Sequence, residues 1–370
     1  MNILNKKQLL DKDKVNVIGS ILVFLIVAKY YSNMLFIGTS IPVAKILMAL
    51  SGVFALILIV NDIKKYNVFH LLILGLLGIQ FVLTKNKSII YAYILALALV
   101  NLDMKKIIKT YIITNIIFFV IYLTLNVFNI KPTEFVHDRN DFGFGNPNGA
   151  FISFFTIWVS YLYLKFDDLK KKDIGLLILF PIVVYSQTNT RTGFLTIAGA
   201  MILAFALEKI DVRKKTFKWF FTLIPGLLAS LSLIVAYGFY NSDKLNRWLS
   251  HRPLYWYRYL VNKEYGLNLI GYNDNIRDIV FTPRLPLDSG YILTLYNSGI
   301  IVFLLIILLY SYAIYQLCKE GKKAEITLIL CILAYAFAES IILDLGTNIT
   351  FIFIAYALCK LGKKKQINDR

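Results

Sequence analysis

Apolar runs about as long as a bilayer's hydrocarbon core is thick recur along this whole chain, and that recurrence limits the fold before any motif is read. A slab of about 30 Å needs about twenty apolar residues of helix, fewer where neighbouring helices cover the ends. About twelve such runs can be marked, at 15–37, 43–60, 67–84, 88–102, 107–129, 148–165, 173–188, 192–208, 218–240, 288–317, 324–342 and 347–361. With 58% of the 370 residues hydrophobic and 17% charged, a single water-soluble core cannot hide them all. The expected fold is an all-α polytopic membrane protein, one transmembrane domain over residues 1–370 with a large extracytoplasmic loop, 241–287, between the ninth and tenth spans. The fourth, seventh and twelfth runs are short, which predicts helices that tilt little, lie buried among others or are partly re-entrant. The run that follows the basic start is too long for a secretory signal and lacks a small-residue cleavage site, so it reads as the first span.

Charge sets the orientation. A net charge of +18 would point to nucleic acid in a soluble protein, but here the positive-inside rule accounts for it and no nucleic-acid partner is expected. With the amino terminus in the cytoplasm, the inside segments hold Lys6, Lys7, Lys12 and Lys14, then Lys64 and Lys65, Lys105, Lys106 and Lys109, and Lys165 with Lys170 to Lys172. Lys209, Arg213 to Lys215 and Lys218, then Lys319, Lys322 and Lys323, and finally Lys360, Lys363 to Lys365 and Arg370 complete the set. An even number of spans returns the carboxyl terminus to the cytoplasm. Arginine behaves differently: Arg139, Arg191, Arg247, Arg252, Arg258, Arg277 and Arg284 all fall outside, leaving Arg213 and Arg370 inside. A guanidinium is a permanently charged planar fork that grips phosphate oxygens in pairs, whereas an ammonium is a hydrated point charge. An anionic ligand at the outer surface is the first functional expectation; headgroup contact or drift in a surface loop is the plainer alternative.

Four outward segments gather the polar chemistry. In His137-Asp-Arg-Asn-Asp-Phe-Gly-Phe-Gly-Asn-Pro-Asn148, glycine and aromatic residues alternate in a tight loop, and Asn148 is a candidate cap for the sixth helix, whose amino terminus would attract an anion. Thr188-Asn-Thr-Arg-Thr-Gly193 puts Arg191 at the start of the eighth helix with Thr190 as its candidate cap, unless Arg191 merely snorkels to the headgroups. The loop 241–287 is long enough to need structure of its own. Its stretch from Asn246 through Arg247, Trp248, Arg252, Trp256 and Arg258 to Leu260 mixes cations with aromatics. That composition suits a loop lying on the bilayer and holding a saccharide, although an interfacial belt explains the aromatics equally well. The loop closes with Arg284 and Asp288, the latter a candidate helix cap or general base. The fourth segment, Glu339 to Asn348, contains a carboxylate that must face protein rather than lipid, and an outer arginine is its natural partner.

Several functions are disfavoured. Lys29 and Lys45 lie near outer ends and His70 near an inner one, so nothing resembles a proton relay or ion path. There is no phosphate-binding glycine loop, no zinc spacing and no HExxH, and the one clear Asp-x-Asp, Asp11-Lys12-Asp13, is on the cytoplasmic tail. No metal or other cofactor is expected; arginines would take the place of Mg²⁺ at a diphosphate. Cys318, Cys331 and Cys359 sit in or beside apolar runs near cytoplasmic ends and read as small core residues rather than a disulfide framework.

With these residues in view the chain resembles the bacterial O-antigen and capsular polysaccharide polymerases, the Wzy-type members of the superfamily that also holds the O-antigen ligases. The likeness rests on the loop Arg139 to Asn148, on the helix start around Arg191, and on Asp288 to Ile301, which reads Asp-Ser-Gly-Tyr-Ile-Leu-Thr-Leu-Tyr-Asn-Ser-Gly-Ile-Ile. The resemblance implies a GT-C-like, inverting glycosyltransferase that moves a growing glycan from undecaprenyl pyrophosphate to a lipid-linked repeat unit outside the cytoplasmic membrane. It implies a flippase and a chain-length regulator as further partners. By residue match it implies Arg191, Asp288 and Arg258 as catalytic residues. Arg139, Arg252, Arg284, Asn146, Asn148, Trp256 and Glu339 would then bind substrate. The ligases carry a histidine near the position of Asp288; a carboxylate here keeps a possible base for the acceptor hydroxyl. A glycan ligase is the neighbouring alternative. A transporter or flippase of the same lipid would call for internal repeats and mid-membrane charges, which are absent from the sequence, and a non-catalytic assembly partner would tolerate lysine at positions 139 and 191.

Overall fold

In a computed structural model the chain is described at residues 10–35, 42–136, 138–273 and 275–361. Lys6, Lys7, His137, Lys363, Lys364, Lys365 and Arg370, named above, lie outside the described residues.

Helices lie over every apolar run. They are α1 (Lys12–Leu35), α2 (Val43–Asn61), α3 (Val68–Thr84), α4 (Ser88–Leu99), α5 (Met104–Val127), α6 (Pro147–Lys165), α7 (Lys171–Thr188), α8 (Arg191–Lys209) and α9 (Lys215–Phe239). Three short helices follow in the long loop, α10 (Asp243–Trp248), α11 (Arg252–Leu260) and α12 (Ile276–Val280). The chain then forms α13 (Gly290–Glu320), α14 (Lys323–Tyr335) and α15 (Phe351–Lys360). Among the described residues the only strands are β1 (Phe135–Val136) and β2 (Arg139–Asn140), an antiparallel pair with Phe135 opposite Asn140. Seven helices, α1, α2, α5, α6, α8, α9 and α13, are long and apolar enough to cross a bilayer, so the chain is an all-α, membrane-embedded protein. The last pair is shorter than its apolar runs: α14 stops at Tyr335, and residues 336–350 run as turns before α15.

The apolar surface is arranged for lipid. Only 17% of the most apolar window of α2 is buried, against 67% for α6 and 61% for α13. Thus α6 and α13 belong to the core, together with α4, α14 and α15, whose residues are mostly buried. Leu56, Leu71, Leu72, Leu179, Leu195, Leu227 and Ile234 of the peripheral helices stay exposed, a pattern that only an apolar solvent stabilises.

Connections gather at two ends of the bundle. At the lysine-rich end, Asn67 Nδ2 donates to the carbonyls of Leu358 (2.6 Å) and Leu361 (2.8 Å), and Lys323 Nζ to that of Glu208 (2.8 Å). At the arginine-rich end, Lys29 pairs with Asp344 (3.3 Å), and Asn86 Nδ2 donates to the carbonyls of Tyr272 (3.1 Å) and Asn297 (3.2 Å). The three cysteines are buried and free, as small core residues would be.

The long loop is anchored by a break in α13. Gly299 has φ 74° and ψ 171°, which interrupts the helical ladder and releases backbone N–H groups. Loop carbonyls take them: Ile300 N–H donates to Asn268 O (3.0 Å) and Ile301 N–H to Leu269 O (3.2 Å), while Tyr272 N–H donates back to Asn297 O (3.1 Å). The crossing is backbone on backbone, since a Cβ on Gly271 would stand 2.2 Å from Asn297 O.

Candidate functional site

The site is built by three connections at the arginine-rich end. Asp141, fully buried, accepts from Glu134 N–H (2.9 Å) and Gly143 N–H (3.0 Å), folding the loop before α6 about one carboxylate. Phe142, Gly143 and Gly145 there adopt positive φ, and Phe144 is buried and stacks on Tyr122 at 4.2 Å. The cap of α6 is Asn146, which accepts from Asn148 N–H (2.8 Å), with Pro147 in the first turn. Asn148 is therefore not the cap expected from the sequence, and its side chain is free to accept from Arg139 Nη2 at 2.6 Å.

Arg139 ties two connections together. Its Nε donates to Thr188 O (2.8 Å), and Nη2 also donates to Thr190 Oγ1 (3.1 Å), so it spans from β2 to the turn between α7 and α8. Thr190 precedes α8 without making a side-chain cap bond, because its hydroxyl serves Arg139 instead. Burial lowers the pKa of Arg139; Arg252 and Arg191 push it the same way and Glu339 opposes them. Arg191 begins α8, is exposed, and has no side-chain hydrogen bond or ion pair among the described residues. Its approach depends on Gly193, where a Cβ would lie 2.3 Å from the Phe151 ring of α6.

The third connection is the long loop. Ser250 (φ 53°) and His251 (φ 60°) reverse the chain between α10 and α11 and turn Arg252 inward, where it is buried. Arg252 Nη2 stands 3.0 Å from Glu339 Oε1 and 3.4 Å from Asp288 Oδ2. Glu339, 3% exposed, thus has the arginine partner that its burial requires. Ser289 rather than Asp288 caps α13, accepting from Ile292 N–H (3.4 Å). Asp288 is left partly open.

These groups meet in a cavity of about 580 Å³ whose walls include Arg139, Asn146, Asn148, Arg191, Arg252 and Asp288. Six of the ten residues named from the sequence therefore share one cavity, with Glu339 paired to Arg252. The remaining three do not line it. Trp256 is buried edge-on to Phe337 (5.8 Å), because Arg252 and Trp256 are one helical turn apart and both face the protein. Arg258 is exposed on the opposite side of α11, and Arg284, also exposed, pairs with Asp278 at 3.1 Å. Trp248 and Ser250 line the cavity as well; the sequence placed Trp248 in the aromatic stretch but pointed to Trp256 as the contact, and only the helical phase of α10 and α11 separates the two.

Three guanidinium groups, that of Arg252 paired with Glu339 and Asp288, stand with two asparagine side chains around one cavity, an arrangement that can donate to an anion beside a carboxylate able to accept a proton. Among the described residues no three histidine, cysteine or carboxylate side chains gather closely enough to hold a metal ion. A smaller cavity of about 130 Å³, lined by Lys29, Tyr91, Arg277 and Asp344 among others, adjoins the same end of the bundle. Comparison of the chain with protein-family models, with curated proteins and with solved structures finds no match.

Proposed function

We propose that the chain is a polysaccharide polymerase of the bacterial cytoplasmic membrane, with twelve spans, both termini in the cytoplasm and the arginine-rich end outside. It takes a growing glycan from undecaprenyl pyrophosphate and adds it to a repeat unit carried on the same lipid. The observation that carries this reading is the convergence of Arg139, Arg191 and Arg252, with Asp288, on one cavity. In the reaction the bond from the anomeric carbon to the diphosphate oxygen breaks as a new bond forms to the acceptor hydroxyl oxygen. The hydroxyl proton passes to Asp288, and undecaprenyl diphosphate departs. Preorganised guanidinium groups favour that departure because they stabilise charge as it develops on the leaving oxygen. Arg191 suits the clamp best, since its donors are uncommitted, while Arg139 holds the loops that shape the cavity.

The test is incubation of the purified protein with lipid-linked repeat units, followed by separation of products by length. A ladder is expected. One discrete adduct would make the protein a ligase, and substrate left covalently unchanged would favour a carrier.

A further inference from the structure

Among the aromatic side chains of the long loop, Trp248 stands apart. Tyr257 stacks on Tyr240 at 3.7 Å, Trp256 meets Phe337, Tyr259 meets Tyr296 at 5.2 Å, and Tyr265 meets Tyr272 at 6.2 Å. Tyr255 lies beside His251 and Phe281 beside Tyr259. Trp248 has no ring partner among the described residues, is 72% exposed, and is the one aromatic residue in the wall of the large cavity. A lone exposed indole is ordinary on a protein surface, but the backbone that carries this one is fixed. Asn246, two positions earlier and buried, donates to Tyr240 O (2.6 Å), and its Oδ1 accepts from Leu254 N–H (3.2 Å). Its backbone carbonyl accepts from His251 N–H (2.7 Å), which fixes the reversal between α10 and α11. The same reversal sets Arg252, four residues after Trp248, into the cavity's wall. A flat apolar ring thereby stands on fixed backbone in the wall of a cavity that also presents Arg139, Arg191 and Arg252.

We infer that Trp248 is the stacking platform for the sugar ring next to the diphosphate, so that this cavity selects a glycosyl diphosphate over a bare one. A pyranose has an apolar C–H face and a hydroxyl rim; the face packs on an indole while the rim reaches polar groups such as Asn146 and Asn148. The inference rests on the proposed reading of the cavity as a lipid-diphosphate site.

The experiment measures binding of two radiolabelled probes to the full-length protein in nanodiscs. The probes are undecaprenyl diphosphate and undecaprenyl diphosphate bearing one repeat unit, the latter extracted from cells producing the Arg191→Ala protein. Trp248→Ala is expected to weaken the sugar-bearing probe roughly five- to tenfold, the scale of one aromatic stack, and to leave the bare lipid unchanged. Trp248→Phe should restore most of the loss. Equal weakening of both probes would make Trp248 an interfacial anchor and overturn the inference, as would no change in either. If Arg191→Ala bound both probes as tightly as the unaltered protein, the diphosphate reading itself would fail, and the platform with it.

Discussion

Arg191 and Arg139 stand two loops apart in sequence and share one cavity, yet their side chains are in opposite states: one uncommitted, the other holding three acceptors. Removing them should therefore give different signatures. Arg191→Ala is expected to lower polymerisation about 10²–10³-fold, the loss seen when one charge-stabilising donor is removed, with no change in thermal unfolding. Arg191→Lys should recover little, because an ammonium cannot present the planar fork. Arg139→Ala should lower both activity and melting temperature, since Thr188 O and Asn148 lose their donor in a partly buried setting, at about 1–3 kcal/mol. Arg252→Ala or Glu339→Ala should each cost about 3–5 kcal/mol by stranding a buried charge. The double variant Arg252→Met with Glu339→Leu should recover much of that stability while remaining inactive, a result visible in paired unfolding and product assays. Part of this was legible from residue chemistry: arginines concentrated in a few connections mark where the cavity forms, and the buried Glu339 calls for a cation, which Arg252 supplies. What sequence could not supply was helical phase, which decides that Trp256 turns inward while Trp248 stays open, and that Asn146 rather than Asn148 closes the start of α6.

At the scale of elements, helix positions followed directly from apolar length, and misjudgements cluster where the chain stops being helical inside buried protein. The expected runs 324–342 and 347–361 overreach by residues 336–342 and 347–350, where Asn348 holds the chain as turns, donating to Ile342 O (2.8 Å) and accepting from Thr350 N–H (3.1 Å). The break at Gly299 was equally hidden, since Asn-Ser-Gly-Ile reads as uninterrupted helix. Its importance can be tested directly. Gly299→Ala and Gly271→Ala both place a methyl group against backbone, at 2.4 Å and 2.2 Å from the nearest atom. Each is expected to melt the protein several degrees lower and to make residues 262–273 more sensitive to protease. Gly193→Leu should instead lift the start of α8 from Phe151, reducing activity more than stability, because Arg191 moves with it.

For the molecule as a whole, the two chemically distinct ends make the orientation testable. With the three native cysteines changed to alanine, a cysteine at position 247 should react with an impermeant maleimide in intact cells. One at position 214 should react only after permeabilisation; the reverse pattern would invert the whole arrangement. The buried pair between Arg252 and Glu339 also carries a consequence for biogenesis. Its two members are 87 residues apart, and the acid belongs to a hairpin of short helices, α14 with 13 residues and α15 with 10, wrapped by the rest of the bundle. During synthesis the guanidinium is thus made 87 residues before the carboxylate that pairs with it. Until the last hairpin packs, Arg252 lacks the Glu339 carboxylate that its burial calls for, so this end of the bundle is completed last.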